Sequence, residues 1–278
     1  KFNKNSLHEK VIDDFGNEWN EFSQTQLKDD ELLSNFLQYF KIFPLSELNN
    51  QMEGFDLGCG SGRWAKLIVP KIKKLNCIDP SKKALEVAKL NLNKFNNVNY
   101  ICEKISDINL DDNSQDFGYC LGVLHHTENT QENLNKCISL LKKNAPFLVY
   151  LYYKFDNRNF IYFLIWKFSD VLRNLVSQLP DIIKILFSDL LAIFIYYPFA
   201  KISFLLDKMN INVKNIPLSY YKNLSFYTMR TDSRDRFGTS LEKRYTKKQI
   251  LKMLKKAGLH KIKFSNNAPF WCAVGLKK

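Results

Sequence analysis

Six cysteines are spread over 278 residues, at positions 59, 77, 102, 120, 137 and 272, and no two form a C-x-x-C pair or share a metal-ligand spacing. That absence excludes a zinc finger or ribbon and speaks against a disulfide framework. Several of the six fall inside apolar runs, so reduced cysteines acting as small apolar residues are the expectation. Long uninterrupted apolar runs are also missing. Lys167, Asp170, Lys184, Asp189 and Lys201 break the most apolar stretches, so none reaches the roughly 18 clean residues of a membrane span. No secretory signal is visible, and a cytoplasmic location is the natural reading. Acid is scarce toward one end. Residues 216–278 hold 15 basic side chains against 3 acidic ones, +12 of a total of +13. Such a region suits nucleic acid, an anionic membrane surface or an acidic substrate. The lysines of residues 243–263, however, alternate with Ile250, Leu251, Leu254 and Leu259. That is the pattern of an ordinary surface helix, ended here by Gly258. A solvated face is the favoured reading, and nucleic acid is not an expected partner.

What is present is concentrated in Asp56-Leu57-Gly58-Cys59-Gly60-Ser61-Gly62-Arg63-Trp64, followed by Cys77-Ile78-Asp79-Pro80. A strand should end near Leu57, and a helix should begin near Arg63. Between them the alternate glycines let the backbone turn sharply and come close to a ligand. Residues 75–78 read as the next strand, and it ends in an acid. In a doubly wound sheet such an acid lies beside the glycine turn and can accept hydrogen bonds from both ribose hydroxyls. Dinucleotide sites carry G-x-G-x-x-G. Here the third glycine arrives one residue early, and Asp56 precedes the turn, where an acid would repel a pyrophosphate and suit a cationic amino group.

The following segments repeat the alternation. Residues 81–92 place Ala84, Leu85, Ala88 and Leu92 at helical spacing. Residues 98–101 read as a third strand. Residues 117–123 read as a fourth, apolar on both faces. Residues 134–141 form an amphipathic helix and residues 146–153 a fifth strand. Strand and helix in alternation imply a parallel sheet covered on both faces, with the ligand beyond the carboxyl ends of the strands. The loops after residues 57, 79, 104 and 122 therefore converge on one crevice.

The glycine segment resembles motif I of the class I S-adenosylmethionine-dependent methyltransferases. The segment from Asp116 through Gly122 to His125, His126 and Thr127 looks like the fourth-strand motif of their small-molecule members, and residues 140–150 look like the approach to the fifth strand. The resemblance covers residues 50–153 and, more loosely, 241–278. It implies an α/β fold, a Rossmann-like doubly wound seven-stranded sheet of order 3-2-1-4-5-7-6, with S-adenosyl-L-methionine as cofactor. On it, Gly58, Gly60 and Gly62 make room for the methionine part and Asp79 holds the ribose, with Asp56, Pro80, Leu121 and Gly122 completing the cofactor set. Two departures stand out: Asn144-Ala145-Pro146 replaces a Pro-Gly turn, and Lys104 stands where an acid commonly reads the adenine amino group. Adenine contact then falls to the backbone of Ile105 or Ser106. The last two strands are expected at residues 261–265 and 270–276.

Residues 154–240 exceed a simple crossover and form an insertion. The runs 160–176, 182–197 and 201–209 are rich in Phe, Leu, Ile and Tyr, punctuated by Pro180 and Pro198. Three packed helices capping the crevice are the leading reading, with a membrane-surface helix as the rival. The region 225–239 reads as a long loop in which Tyr227, Arg230, Arg234 and Arg236 are candidate acceptor-binding residues, since guanidinium forks suit carboxylate or phosphate. Asp232 and Asp235 open the alternative of a surface ion network. His125 and His126 follow the fourth strand, where the acceptor of the methyl group would lie. A neutral imidazole there can take a proton, and His126 is the candidate base, with at least one of the two structural. Asp13, Asp14, Phe15, Gly16 and Trp19 belong to a segment that either folds over the cofactor or forms an ordinary amphipathic helix.

The expected division is an N-terminal helical segment (1–50), the cofactor-binding core (51–153), the helical cap (154–240) and a C-terminal helix with the last two strands (241–278). The expected activity is methyl transfer to a small-molecule or sugar-type acceptor bound under the cap. The alternatives are a membrane-peripheral methyltransferase of a lipid or lipid-linked acceptor, and a cofactor-fold binding protein without turnover. The acceptor atom and the oligomeric state are left open.

Overall fold

The computed structural model describes residues 4–278, with side chains from Glu9 onward; the first residues of the 1–50 segment lie outside that range. The chain divides into two compact units. The first comprises Lys1–Thr25, Leu32–Lys154 and Leu241–Lys278, and the second Gln26–Glu31 and Phe155–Ser240.

The first unit is built on one sheet of strands β1 (Glu53–Leu57), β2 (Lys74–Ile78), β3 (Val98–Ile101), β4 (Phe117–Leu121), β5 (Pro146–Tyr150), β6 (Leu259–Phe264) and β7 (Cys272–Lys277). Their order is β3-β2-β1-β4-β5-β7-β6, as expected from the sequence. The first five are parallel, and β7 runs antiparallel to both β5 and β6. The central pair interlocks by size. A Cβ on Gly54 would fall 2.4 Å from the Phe117 ring, and one on Gly118 would fall 2.2 Å from the Phe55 ring. Each phenylalanine thus covers the glycine of the neighbouring strand. β4 and β5 stop earlier than their apolar runs. Gly122 turns away at φ +81°, and its N–H still reaches the Tyr150 carbonyl at 3.1 Å.

The helices are α1 (Lys4–Glu21), α2 (Asp29–Tyr39), α3 (Ala65–Ile68), α4 (Lys82–Asn91), α5 (Thr130–Leu140), α6 (Phe160–Val176), α7 (Asp181–Leu191), α8 (Tyr197–Lys208), α9 (Phe226–Gly238) and α10 (Lys247–Lys256). α3 is one turn long and passes into a 3-10 turn at Val69–Lys71. Pro70 explains the early stop, because it has no N–H to donate to the Lys66 carbonyl. Ser81 caps α4 by accepting from the Ala84 N–H. Thr246 and Gln249 form a reciprocal capping box on α10.

In the second unit two expectations are corrected. Pro198 does not separate two helices: α7, a π-helical stretch Ala192–Tyr196 and α8 form one continuous helix of 28 residues. Proline cannot donate to the Phe194 carbonyl and would crowd it in an α turn; the wider π turn relieves that conflict. Residues 225–239 are not a loop. They form α9, started by the Ser225 side chain accepting from the Thr228 N–H. The Glu31 carboxylate also accepts from the Ser225 N–H at 3.0 Å and from the Thr228 hydroxyl at 2.6 Å. α9 was not legible as a helix because it has no apolar stripe. It is mostly polar, held by ion pairs and by the burial of Met229 and Phe237.

Candidate active site

The carboxyl ends of β1, β2 and β4 meet at the glycine turn. Gly58, Gly60 and Gly62 all have positive φ (+70°, +54° and +74°), the region open to glycine. The Gly58 and Cys59 N–H groups donate to the Ile78 carbonyl at 2.7 and 3.2 Å, which ties the turn to β2. Asp79 is buried and holds the turn from the other side. Its Oδ2 accepts from the Gly60 N–H at 3.0 Å, and its Oδ1 from the Ser81 N–H at 2.9 Å. Burial pushes Asp79 up to about 6, and the Ser81 and Gly60 N–H groups oppose the rise. It is therefore mostly ionised at neutral pH, and each oxygen keeps accepting capacity for a hydroxyl.

Asp56 lies at the floor of the same site. Burial pushes its carboxyl up to about 8, with Tyr119 opposing, Asp79 adding to the rise and Arg63 opposing. Its Oδ2 is buried and accepts no hydrogen bond. A buried acid in that condition is matched to a cationic partner. Beyond β4, a Cβ on Gly122 would meet nothing within 4 Å, so the crevice is open there. Pro80 directly follows Asp79, and Leu121 directly precedes Gly122. Ile105 is buried in a 3-10 turn after β3, with Ser106 exposed beside it. Lys104 pairs with Glu9 of α1.

α1 lies over these loops. A Cβ on Gly16 would fall 2.4 Å from the Ser81 hydroxyl, and one on Gly60 would fall 2.7 Å from the Trp19 ring. The Arg63 guanidinium stands 5.5 Å from the Trp19 ring centroid and 4.4 Å from that of Trp64. Phe15 meets His126 edge-on at 4.9 Å. Of the two readings of this segment, the structure places Phe15, Gly16 and Trp19 against the cofactor loops.

His125 and His126 sit in a 3-10 turn (Leu124–His126) and are both buried. The His125 ring stacks on Tyr152 at 3.8 Å. Burial holds it well below the usual histidine range, and His126 and Arg244 add to the depression. It is a neutral packing residue. His126 differs: its Nδ1 lies 2.6 Å from the Leu241 carbonyl. A carbonyl only accepts, so Nδ1 carries the proton and Nε2 keeps the basic lone pair. The first part of the lysine-rich stretch also belongs here and is not a solvated face. The Lys243 ammonium donates to the Thr127 carbonyl at 2.9 Å. Arg244, paired with Glu242 at 2.7 Å, stands over the Tyr152 ring.

Residues 55–149 match the family model described as a methyltransferase domain. The core of this chain is a class I S-adenosylmethionine-dependent methyltransferase domain. Ubiquinone biosynthesis O-methyltransferase of Coxiella burnetii is 27% identical over 106 residues, 38% of this chain and 44% of that protein. The chain thus aligns with less than half the length of the curated relatives it matches. The S-adenosylmethionine-dependent methyltransferase structure of Thermotoga maritima superposes with a TM-score of 0.50 at 12% identity, covering 95% of this chain and all of that one. A Bacillus halodurans protein whose methyltransferase name is provisional gives 0.52 at 16% identity, over 84% and 72% of the two chains. At these identities the solved structures speak for the fold.

The residues of this methyltransferase domain fit S-adenosylmethionine. The paired N–H groups fix Asp79 beside the turn, and Asp56 is a buried acid of the kind a cationic amino group suits. Sequence reasoning missed Tyr119, Tyr152, the Arg244–Glu242 pair and the Leu241 carbonyl. The last two lie more than 110 residues from His126, and no local pattern links them. The second unit holds the other candidates. Tyr227 is in the first turn of α9. Arg230 forms a two-pronged pair with Asp189 at 2.7 and 2.8 Å. Arg234 is buried against Asp181 at 3.3 Å, and Arg236 faces Asp170 at 3.7 Å. Each guanidinium thus already faces a carboxylate, which favours the ion-network reading of this segment.

Proposed function

We propose that this chain methylates a hydroxyl of a small-molecule acceptor, with His126 as the proton acceptor. The observation that carries this is the short Nδ1 contact to Leu241, which fixes the tautomer and leaves Nε2 basic. S-adenosylmethionine, when bound, supplies a methyl group on a positively charged sulfur. Asp79 and the glycine turn would hold its ribose, and Asp56 would hold its amino group. With the cofactor bound, Nε2 of His126 would take the proton that the acceptor hydroxyl gives up as its oxygen is methylated. Tyr152 and Phe15 keep the imidazole ring in place. The oxygen acceptor is supported by the O-methyltransferase name of the curated relatives. Positioning contributes alongside the base, since aligning acceptor and methyl group removes much of the entropic barrier.

A general base contributes about 10²–10⁴ in rate. His126→Ala should lower turnover by that order while S-adenosylmethionine affinity stays within about twofold, measured by label transfer and calorimetry. His125→Asn, which fills similar space, should cost far less. Full turnover in His126→Ala would remove the base from the account.

A further inference from the structure

The helices of the second unit turn much of their apolar surface outward, around a small buried cluster of Val176, Met229 and Phe237. Along the continuous helix of α7 and α8, the buried positions are Lys184, Ser188, Ala192, Tyr196, Ala200 and Ser203. They recur at helical spacing and form one stripe that is mostly small or polar. The opposite face is apolar and exposed: Ile182 at 81%, Phe194 at 67%, with Leu186, Leu190, Ile202 and Leu205 between and beyond. α6 repeats the pattern. Arg173 is buried and Asp170 faces it, whereas Phe160, Ile161, Leu164, Phe168 and Leu175 are exposed. At the centre is α9, whose buried positions include Thr231, Ser233 and Arg234. Gly238 makes room for that arginine, since a Cβ there would fall 1.9 Å from Arg234 Nη1. A soluble helix hides its apolar stripe and shows its charges. Exposed apolar patches of this extent mark a surface that meets another apolar phase.

The charges say which phase. Every acid on α6 and α7 is drawn to a cation within the unit: Asp170 to Arg173 and Arg236, Asp181 to Lys184 and Arg234, Asp189 to Arg230. The lysines that remain on the exposed side stand over aromatic rings. Lys167 lies over Phe163, Lys201 over Tyr197 and Phe204, and Lys208 over Phe204. The outer face therefore combines apolar side chains and cations, with acid turned inward. Asp207 at the end of α8 is the exception, and it pairs with Lys222. A protein partner could be of either charge. An anionic lipid surface requires this sign and this mixture.

The helix of α7 and α8 is long and apolar enough to cross a membrane, about 42 Å at the α-helical rise. Two features favour lying in the interface instead. Lys167 falls at the middle of α6 and would sit at the bilayer centre if α6 spanned, where a cation is expensive. Each helix also keeps one polar face, as interfacial helices do.

We infer that the outer faces of α6, α7 and α8 form a docking surface for the anionic headgroup and acyl boundary of a lipid bilayer. This goes beyond the methyl-transfer reading and stands on separate residues. The test is flotation of the full chain with phosphatidylcholine vesicles and with vesicles containing phosphatidylserine. The wild type should float with the anionic vesicles, and raised salt should weaken that binding severalfold. The triple variant Phe168→Ser, Ile182→Ser, Phe194→Ser should lose it by tenfold or more. Retained helical circular dichroism and retained S-adenosylhomocysteine binding would show that both units stay folded. A second variant, Lys167→Glu with Lys201→Glu, keeps the apolar surface and should lose the preference for anionic lipid. Failure of the wild type to float, or flotation unchanged in both variants, would overturn the proposal. So would a stable dimer that occupies this face and is dissolved by the triple variant.

Discussion

The two units differ in what they bury. The methyltransferase core hides Phe55, Leu57, Phe117, Phe147 and Leu148 in its sheet. The second unit hides Lys184, Ser188, Ser233 and Arg234 beside a small apolar cluster of Val176, Ala200, Met229 and Phe237, and exposes isoleucine, leucine and phenylalanine. The same propensities make helices in both. What differs is the medium that each outer face is fitted to meet. The contrast teaches that an apolar composition does not by itself imply a core. The composition of residues 160–209 reads as packing material until the exposed face of each helix is known.

The largest effects should come from removing what each unit buries. Phe147→Ala in the core should cost about 3–5 kcal/mol, and Arg234→Ala should cost the second unit a similar amount by emptying the buried space that this side chain fills. Limited proteolysis with mapped cuts would separate them. Arg234→Ala should expose sites within residues 155–240 while leaving cofactor affinity intact, and Phe147→Ala should weaken cofactor binding. Identical cut patterns for the two variants would break the division into units.

Next in size is Asp79→Ala, which removes hydrogen bonds to a charged acceptor worth about 1.5–3 kcal/mol. S-adenosylmethionine affinity should fall roughly tenfold or more, read by calorimetry, with vesicle binding unchanged. Unchanged affinity would take Asp79 out of the site.

A pH effect of up to about tenfold per unit follows from Asp56. Its carboxyl is protonated below about 8 in the ligand-free protein, and a cationic amino group favours the ionised form. Binding should therefore release a proton, and affinity should rise from pH 6.5 to 8.5. The stability of the ligand-free core has the opposite sign. The folded state holds a proton that the unfolded chain gives up near 3.8, so this contribution is complete below that pH and is lost as pH rises through about 8. Asp56→Asn should flatten both profiles.

The smallest effect should be Ile182→Ala. Ile182 is 81% exposed, so truncation should change stability by no more than about 0.5 kcal/mol. A cost comparable to that of Phe147→Ala would mean that this face is packed in solution.

The sheet order and the glycine turn were legible because local signals carried them: alternation, strand ends and an acid beside a glycine turn. Ser81 as a cap and Gly258 as a stop are of the same kind. α9 was not legible, since an ion-paired helix without an apolar stripe looks like a loop. Pro198 misled for a related reason, because a π turn can absorb a proline that an α turn cannot. The Leu241 contact that fixes the His126 tautomer is visible only in three dimensions.

The most direct test places a nitroxide label on one exposed apolar residue in each unit, on a Cys102→Ser background: Ile182→Cys in α7 and Leu90→Cys in α4, where Leu90 is 72% exposed. With phosphatidylserine vesicles, the label at 182 should become accessible to oxygen and shielded from an aqueous nickel reagent, while the label at 90 stays in water. Both labels remaining equally accessible to the nickel reagent would contradict the account.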